Sequence, residues 1–277
     1  MSAMLPVILG KMHWWASRSQ WLFPAVVKIS NQCQAIIRCR LNDGIDPTRN
    51  GEFLLLSLLA PGAKTFIDVG ANIGTWSKEF AKLIADRNGY GVLFEPSPIA
   101  FRRLCEKRNE FACRIDIVQA ALGDTIGETT FFMEPEAGET SSLVPGFSRP
   151  TATAIKVPVT TIDHEIGKRG LGLVDFIKVD AEGFDLKVLK GAARMLRQKQ
   201  IGVVQFEYNA PWAEAGSTLA EARRYLEGMG YELFLLKGDG LYSPQFQRYG
   251  EYFGYSNYVA VSPHCAARIE GLRRKQI

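Results

Sequence analysis

Between Thr65 and Glu95 the sequence reads TFIDVGANIGTWSKEFAKLIADRNGYGVLFE, and this stretch restricts the fold more tightly than any other. Thr65 to Val69 is short, apolar and β-branched, which predicts a buried strand. Gly70-Ala71-Asn72-Ile73-Gly74 then allows a tight turn, because glycine tolerates positive φ and brings no Cβ toward a ligand. Trp76, Phe80, Leu83 and Ile84 recur at helical spacing, so a helix follows whose free N-terminal N–H groups face the turn. A second strand, Tyr90 to Phe94, ends on Glu95, about twenty residues past the turn, where an acid can take both hydroxyls of a ribose. The combination predicts an adenosine-type ligand.

The turn itself narrows that ligand. A dinucleotide fingerprint, G-x-G-x-x-G, would need glycine where this chain has Asn72 and Thr75, so the fit to a pyrophosphate is poor. What remains is D-x-G-x-N-x-G with Asp68 inside the strand end, and this resembles the first motif of the class I S-adenosylmethionine-dependent methyltransferases. The resemblance implies that Asp68 pairs, directly or through water, with the ammonium of the methionine part, while the turn amides take its carboxylate. S-adenosylmethionine carries a zwitterionic tail and a sulfonium but no phosphate, so a carboxylate beside the turn helps where it would repel pyrophosphate. Asp68, Gly70, Asn72, Gly74, Glu95 and Pro96 are therefore the expected cofactor positions on this side. An ordinary strand–turn–helix crossover in another α/β protein is the competing reading, and the agreement of the glycines with Asp68 and Glu95 disfavours it.

With 277 residues and 47% apolar content the chain can bury a full core, and one α/β domain with extensions is the simplest count. A net charge of +4 is mild, and no basic run interleaved with aromatics appears apart from the tail Arg273-Arg274-Lys275, so no nucleic-acid partner is expected. Cys33, Cys39, Cys105, Cys113 and Cys265 lack C-x-x-C spacing and are odd in number, which predicts reduced thiols of a cytoplasmic chain and no zinc site. No apolar run reaches the length of a transmembrane helix, and Pro6, Gly10 and Lys11 make the N-terminus a poor signal peptide.

Residues 1–60 are read as an accessory helical extension, residues 61–263 as the catalytic domain and residues 264–277 as a tail. His13-Trp14-Trp15, Trp21-Leu22-Phe23 and Val26-Val27 make the extension aromatic and weakly basic. It can be an appendage packed on the domain, a homodimer contact or a peripheral foot on a membrane surface, and packing is the favoured reading. Gly51-Glu52-Phe53 to Leu59 predicts a short apolar helix, stopped by Pro61-Gly62, that packs beside the first strand and closes the cofactor site from one side. A third strand, Ile115 to Val118, runs into Gln119-Ala120-Ala121, small residues that let the backbone approach an adenine ring. Beyond it, Gly127 to Phe132 and Ile155 to Val159 predict strands, and the Gly/Ser/Thr/Pro-rich stretch between them predicts a loop, with Thr140 to Leu143 as a clasp over the site. Val174 to Val179 predicts a buried strand ending in Asp180-Ala181-Glu182-Gly183, and Ile201 to Phe206 another ending in Glu207-Tyr208-Asn209, which gathers carboxylates at the strand ends where open α/β sheets bind ligands.

The segments FIDVGANIGTWS, FEPSP, AALGD, VTTID, IKVDAEGFDLKVLKGA and VVQFEYN together resemble the FkbM family of methyltransferases, from about Thr65 to Val261. That resemblance implies a Rossmann-like class I α/β sandwich with a seven-stranded mixed sheet whose last strand is antiparallel. It also implies methyl transfer from S-adenosyl-L-methionine to a hydroxyl of a sugar, a glycan or glycolipid, or a secondary metabolite. Phe184-Asp185 departs from the family, which more often has a small residue followed by Glu, and is expected to matter little.

Transfer to oxygen needs the acceptor aligned, its proton removed and water kept out. Asp180 is the first candidate base or positioner, Glu207 the second, with Glu182 beside them. The pattern of Asp180, Glu207 and Asn209 also resembles the oxygen ligands of magnesium-dependent catechol-type methyltransferases, an alternative to the favoured metal-free site. His13 and His164 read as surface or structural and His264 as a weak base candidate. A non-methylating nucleotide- or sugar-binding Rossmann-type protein and an idle scaffold are the remaining alternatives. Asn72 and Thr75 speak against the first, and Asp68, Glu95, Asp180 and Glu182 together against the second.

Overall fold

The computed structural model describes residues 4–134, 141–145 and 150–275. They form two compact units, Met1–Leu41 and Asn42–Ile277. The first contains helices α1 (Met4–Arg18) and α2 (Leu22–Leu41), with the Ser19 hydroxyl accepting from the Leu22 N–H at 3.1 Å where the second helix starts. In the second unit, α3 (Glu52–Leu59) buries Leu55, Leu56 and Leu59 in the core cluster that also holds Phe66 of the first strand.

The main sheet grows from strand and helix in alternation: β1 (Thr65–Val69), α4 (Thr75–Leu83), β2 (Tyr90–Phe94), α5 (Pro98–Glu106) and β3 (Arg114–Val118). The chain then forms a small sheet from β4 (Ala121–Leu122), β5 (Gly127–Met133) and β6 (Thr153–Thr160). It returns through α6 (Ile162–Lys168), β7 (Val174–Val179), α7 (Asp185–Lys190), α8 (Ala193–Arg197), β8 (Ile201–Tyr208), α9 (Pro211–Glu214) and α10 (Leu219–Gly228). The last elements are β9 (Glu232–Lys237), β10 (Gly240–Tyr242), α11 (Phe246–Tyr249), β11 (Ser256–Val261) and β12 (Arg273–Arg274).

The sheet order is β12-β10-β9-β11-β8-β7-β1-β2-β3. β1, β2, β3, β7 and β8 pair in parallel, and β11 inserts antiparallel between β8 and β9. The strands from β3 to β9 are the seven expected, and two short strands widen the sheet to nine. β10 folds back on β9, and the tail supplies β12. Residues 264–275 are thus structural, with Cys265, Ile269 and Leu272 buried in the core.

An aromatic cluster packs α4 against β1 and β7. Phe66 of β1 meets Trp76 and Phe80 of α4 edge-on at 6.1 and 5.2 Å between ring centroids, and Phe176 of β7 closes the group. Leu83, predicted on the same face, is exposed, whereas Ile84 is buried.

The space beside Gly70 is protein rather than ligand. Gly70 has φ +78°, and a Cβ built there would overlap the carbonyl oxygen of Asp180 just past β7. The glycine therefore lets the ends of β1 and β7 converge. Gly70→Ala should lower stability by about 2 kcal/mol or more, from the left-handed backbone and the forced separation together. Urea unfolding measures this, and an unchanged midpoint would show that the two strand ends have room to spare.

Candidate active site

Parallel pairing aligns Asp68 of β1 with Lys178 of β7, and Lys178 with Gln205 of β8, so these three side chains share one face of the sheet near its carboxyl edge. Glu95 follows β2, Asp180 and Glu182 follow β7, and Glu207 lies within β8. Carboxylates from four adjacent strands are in this way brought to one edge, where open α/β sheets hold their ligands.

Around the turn, Glu95 is buried and accepts from the N–H groups of Asn72 and Ser97, each at 2.8 Å. Each of its oxygens keeps a second lone pair for another donor. Asp68 is buried with one oxygen accepting from the Ser77 hydroxyl at 2.5 Å and the other, Oδ1, without a partner. Asn72, at φ +48°, likewise has a buried and unpartnered Oδ1. Four turn amides are engaged within the protein: Gly70 and Ala71 donate to the Phe94 carbonyl, Asn72 to Glu95, and Gly74 to the Ala71 carbonyl.

The adenine-side positions divide. Gln119 is exposed, Ala120 is buried, and Ala121 belongs to β4, packed with Phe131, Leu143 and Val157 in the core of the small sheet. Pro96 is half-buried between Glu95 and the cap of α5, where the Ser97 hydroxyl accepts from Ala100.

Asp180, Glu182 and Glu207 converge so that one carboxylate oxygen from each lies within 4.8 Å of the others. Asn209 sits among them and donates both amide hydrogens, to Glu207 at 2.6 Å and to Glu182 at 3.1 Å, while its Oδ1 is buried and unpartnered. Lys178 takes Asp180 at 2.7 Å. Glu182 is held in the left-handed region at φ +46°, and its carbonyl accepts from the Ser142 hydroxyl at 2.8 Å. Ser142 bridges to Phe132 of β5, so the described part of the predicted clasp is ordered; Thr140 lies outside the described residues.

Burial sets the protonation of these groups. It raises Asp68 to about 6 against the pull of Lys178, Glu95 to about 7 and Asp185 to about 8. Glu182 and Glu207 are raised by burial first and by the charge of Asp180 second, so the pair retains a proton where free carboxyls would have lost theirs. Lys178 stays charged because Asp180, Asp68 and Glu52 outweigh its own desolvation.

Several of these residues escape the sequence reading. Lys178 carries a signal, a cation inside an otherwise apolar central strand. Glu52 carries none, since a buried acid at the start of α3, accepting from Asn50 and Asn257, looks in sequence like a solvated first-turn residue. Asp185 is fully buried and accepts from the Gly183 N–H at 3.2 Å, so the departure at Phe184-Asp185 shapes the loop that carries Glu182. His13, His164 and His264 are all exposed.

The model of the methyltransferase FkbM domain matches residues 68–233. The hexuronic acid methyltransferase AglP of Haloferax volcanii is 26% identical over 56% of this chain and 61% of its own length, so the chain matches about three fifths of that relative. The 31-O-demethyl-FK506 methyltransferase FkbM of Streptomyces tacrolimicus is 26% identical over 73% of this chain and 77% of its own. A crystal structure of a methyltransferase FkbM from Methylobacillus flagellatus aligns with 18% identity and a TM-score of 0.46, over 71% of this chain and 43% of that one.

A pH dependence follows from the buried acids. Their folded-state pKa values lie above the unfolded ones, so between about pH 4 and pH 8 the folded chain holds protons that the unfolded chain has released, and stability falls as pH rises through that window. Urea midpoints of the ligand-free protein should decline from pH 5.5 to 8.5, and Asp185→Asn should flatten the upper part of the curve. A profile that rises across this range would contradict the assignment.

Proposed function

The chain belongs to the FkbM methyltransferase family, and we propose on that basis that it moves a methyl group from S-adenosyl-L-methionine to a hydroxyl of a sugar, glycan, glycolipid or secondary metabolite. The observation that carries the reading is a division of labour at one sheet edge: Asp68, Asn72 and Glu95 surround the turn, while Asp180, Glu182 and Glu207 cluster beyond β7 and β8.

The turn side fits this cofactor in its donor and acceptor chemistry. The unpartnered Asp68 Oδ1 is a buried anionic acceptor that an ammonium satisfies, and Glu95 keeps acceptor capacity for two ribose hydroxyls. When bound, S-adenosylmethionine supplies an electrophilic methyl on a sulfonium. The residues of the chain must then orient an acceptor hydroxyl and receive its proton.

Glu207 is the better base. The Lys178 ammonium already occupies Asp180 in an ion pair at 2.7 Å, whereas burial and the neighbouring acids raise Glu207 well above the ordinary carboxylate value. Asp180 then positions, and Asn209 keeps Glu182 and Glu207 apart while giving each a hydrogen bond. An acid-lined mouth accepts hydrogen bonds, so it favours a neutral polyol. An anionic acceptor of the kind named for the Haloferax relative would bring one more carboxylate toward Glu182 and Glu207.

A metal-bound arrangement is the second reading, since three carboxylates this close suit a hard cation. Against it, Lys178 already neutralises Asp180, and Asn209 presents donors to the other two. The described residues are therefore arranged for internal neutralisation.

Three outcomes are expected. Glu95→Ala should weaken S-adenosylmethionine binding about tenfold, the loss of charged hydrogen bonds of roughly 1.5–3 kcal/mol, as read by calorimetry. Glu207→Gln should lower turnover by about 10²–10⁴, abolish the rise of kcat with pH and leave cofactor affinity unchanged. If Asp180→Asn removes that rise instead, the base is Asp180. Activity should also survive EDTA, and loss with recovery on adding Mg²⁺ would establish the metal-bound reading.

A further inference from the structure

We propose that the helical pair Met4–Leu41 is a docking element for an anionic membrane surface, lying in the interface rather than crossing it. Across α1 and α2 the described apolar side chains are mostly turned outward: Trp14, Trp15 and Trp21 are 58%, 66% and 89% exposed, and Phe23, Ile29 and Ile36 are exposed with them. So many large exposed apolar side chains on two neighbouring helices mark a contact site. Its three indoles and Phe23 gather around the junction of the two helices, and amphipathic rings of this kind favour the depth of lipid headgroups.

Charge identifies the occupant. Every charged side chain from Met1 to Leu41 is basic, namely Lys11, Arg18, Lys28, Arg38 and Arg40, and no Asp or Glu occurs there. Lys11 precedes Trp15 and Trp14 precedes Arg18 by one helical turn each, and the Arg18 guanidinium lies 3.9 Å from the Trp14 ring centroid. Cation and indole are thus presented together, the combination that lets a helix bind acidic headgroups while its apolar side enters the acyl boundary. A second copy of the same acid-free segment would set cation against cation. No described helix is long and apolar enough to span a bilayer, so the pair lies on the surface.

The full chain should be mixed with vesicles of phosphatidylcholine containing phosphatidylglycerol at three to one, by roughly the anionic fraction that gives strong attraction of basic segments, and with phosphatidylcholine alone. Expected are at least about tenfold stronger co-sedimentation with the anionic vesicles, reversal by about 0.5 M salt, and a blue shift of tryptophan emission. The shift reports the docking element, because Trp76 and Trp212 are already buried. Trp14→Ala combined with Trp15→Ala and Trp21→Ala should abolish both signals while the melting temperature and S-adenosylmethionine binding stay unchanged, since these side chains are exposed and lie in the other compact unit. Equal binding to both vesicles, no binding to either, or a lipid-independent dimer that the triple variant dissolves would each overturn the proposal. A chain that docks yet fails to bind S-adenosylmethionine would leave it standing while refuting the catalytic reading.

Discussion

The ammonium of Lys178 sits buried where three elements deliver carboxylates, and the geometry of the strand ends depends on it. Asp180 holds it directly, while Asp68 and Glu52 act on it through space. Bringing these acids to a dry sheet edge without a cation would leave uncompensated charge, a cost far larger than the worth of any single exposed ion pair. With the ammonium present, Asp180 has a charge partner at 2.7 Å, while burial keeps protons on Glu182 and Glu207. Gly70 completes the arrangement from the backbone side by letting β1 and β7 meet at the Asp180 carbonyl.

Much of this was readable from residue order. The glycine turn, the acid after β2 and the two acid-bearing strand ends lie within short segments, and local periodicity reports such segments well. What stayed hidden depends on contacts between distant positions. The Asn257 amide reaches Glu52 across 205 residues of chain, and the Ser142 hydroxyl reaches the Glu182 carbonyl across 40. The missing Cβ of Gly70 reads equally well in sequence as room for a ligand or for Asp180, and only the packing of β1 beside β7 decides between them. The aromatic N-terminal segment was misleading in the opposite sense, because large apolar residues usually mean burial and here they face outward.

The two halves of the edge also differ in how their acids are satisfied. Glu95 is met by backbone donors that the turn fixes, so its geometry is set by the main chain. Glu182 and Glu207 are met by one side-chain amide, which is adjustable by rotation. On the proposed function, the ribose side at Glu95 is therefore tied to the main chain, whereas the acceptor side rests on a few replaceable side chains.

The Ser142 contact gives that contrast a historical reading. Because the loop bearing Glu182 meets the small sheet through the Ser142 hydroxyl and through Phe184, a change in β5 or β6 would, on the proposed function, retune the acceptor side while leaving β1 and β2 in place. On the proposed function, a lineage can thus explore new acceptors by drift in a module outside the main sheet while keeping its methyl donor.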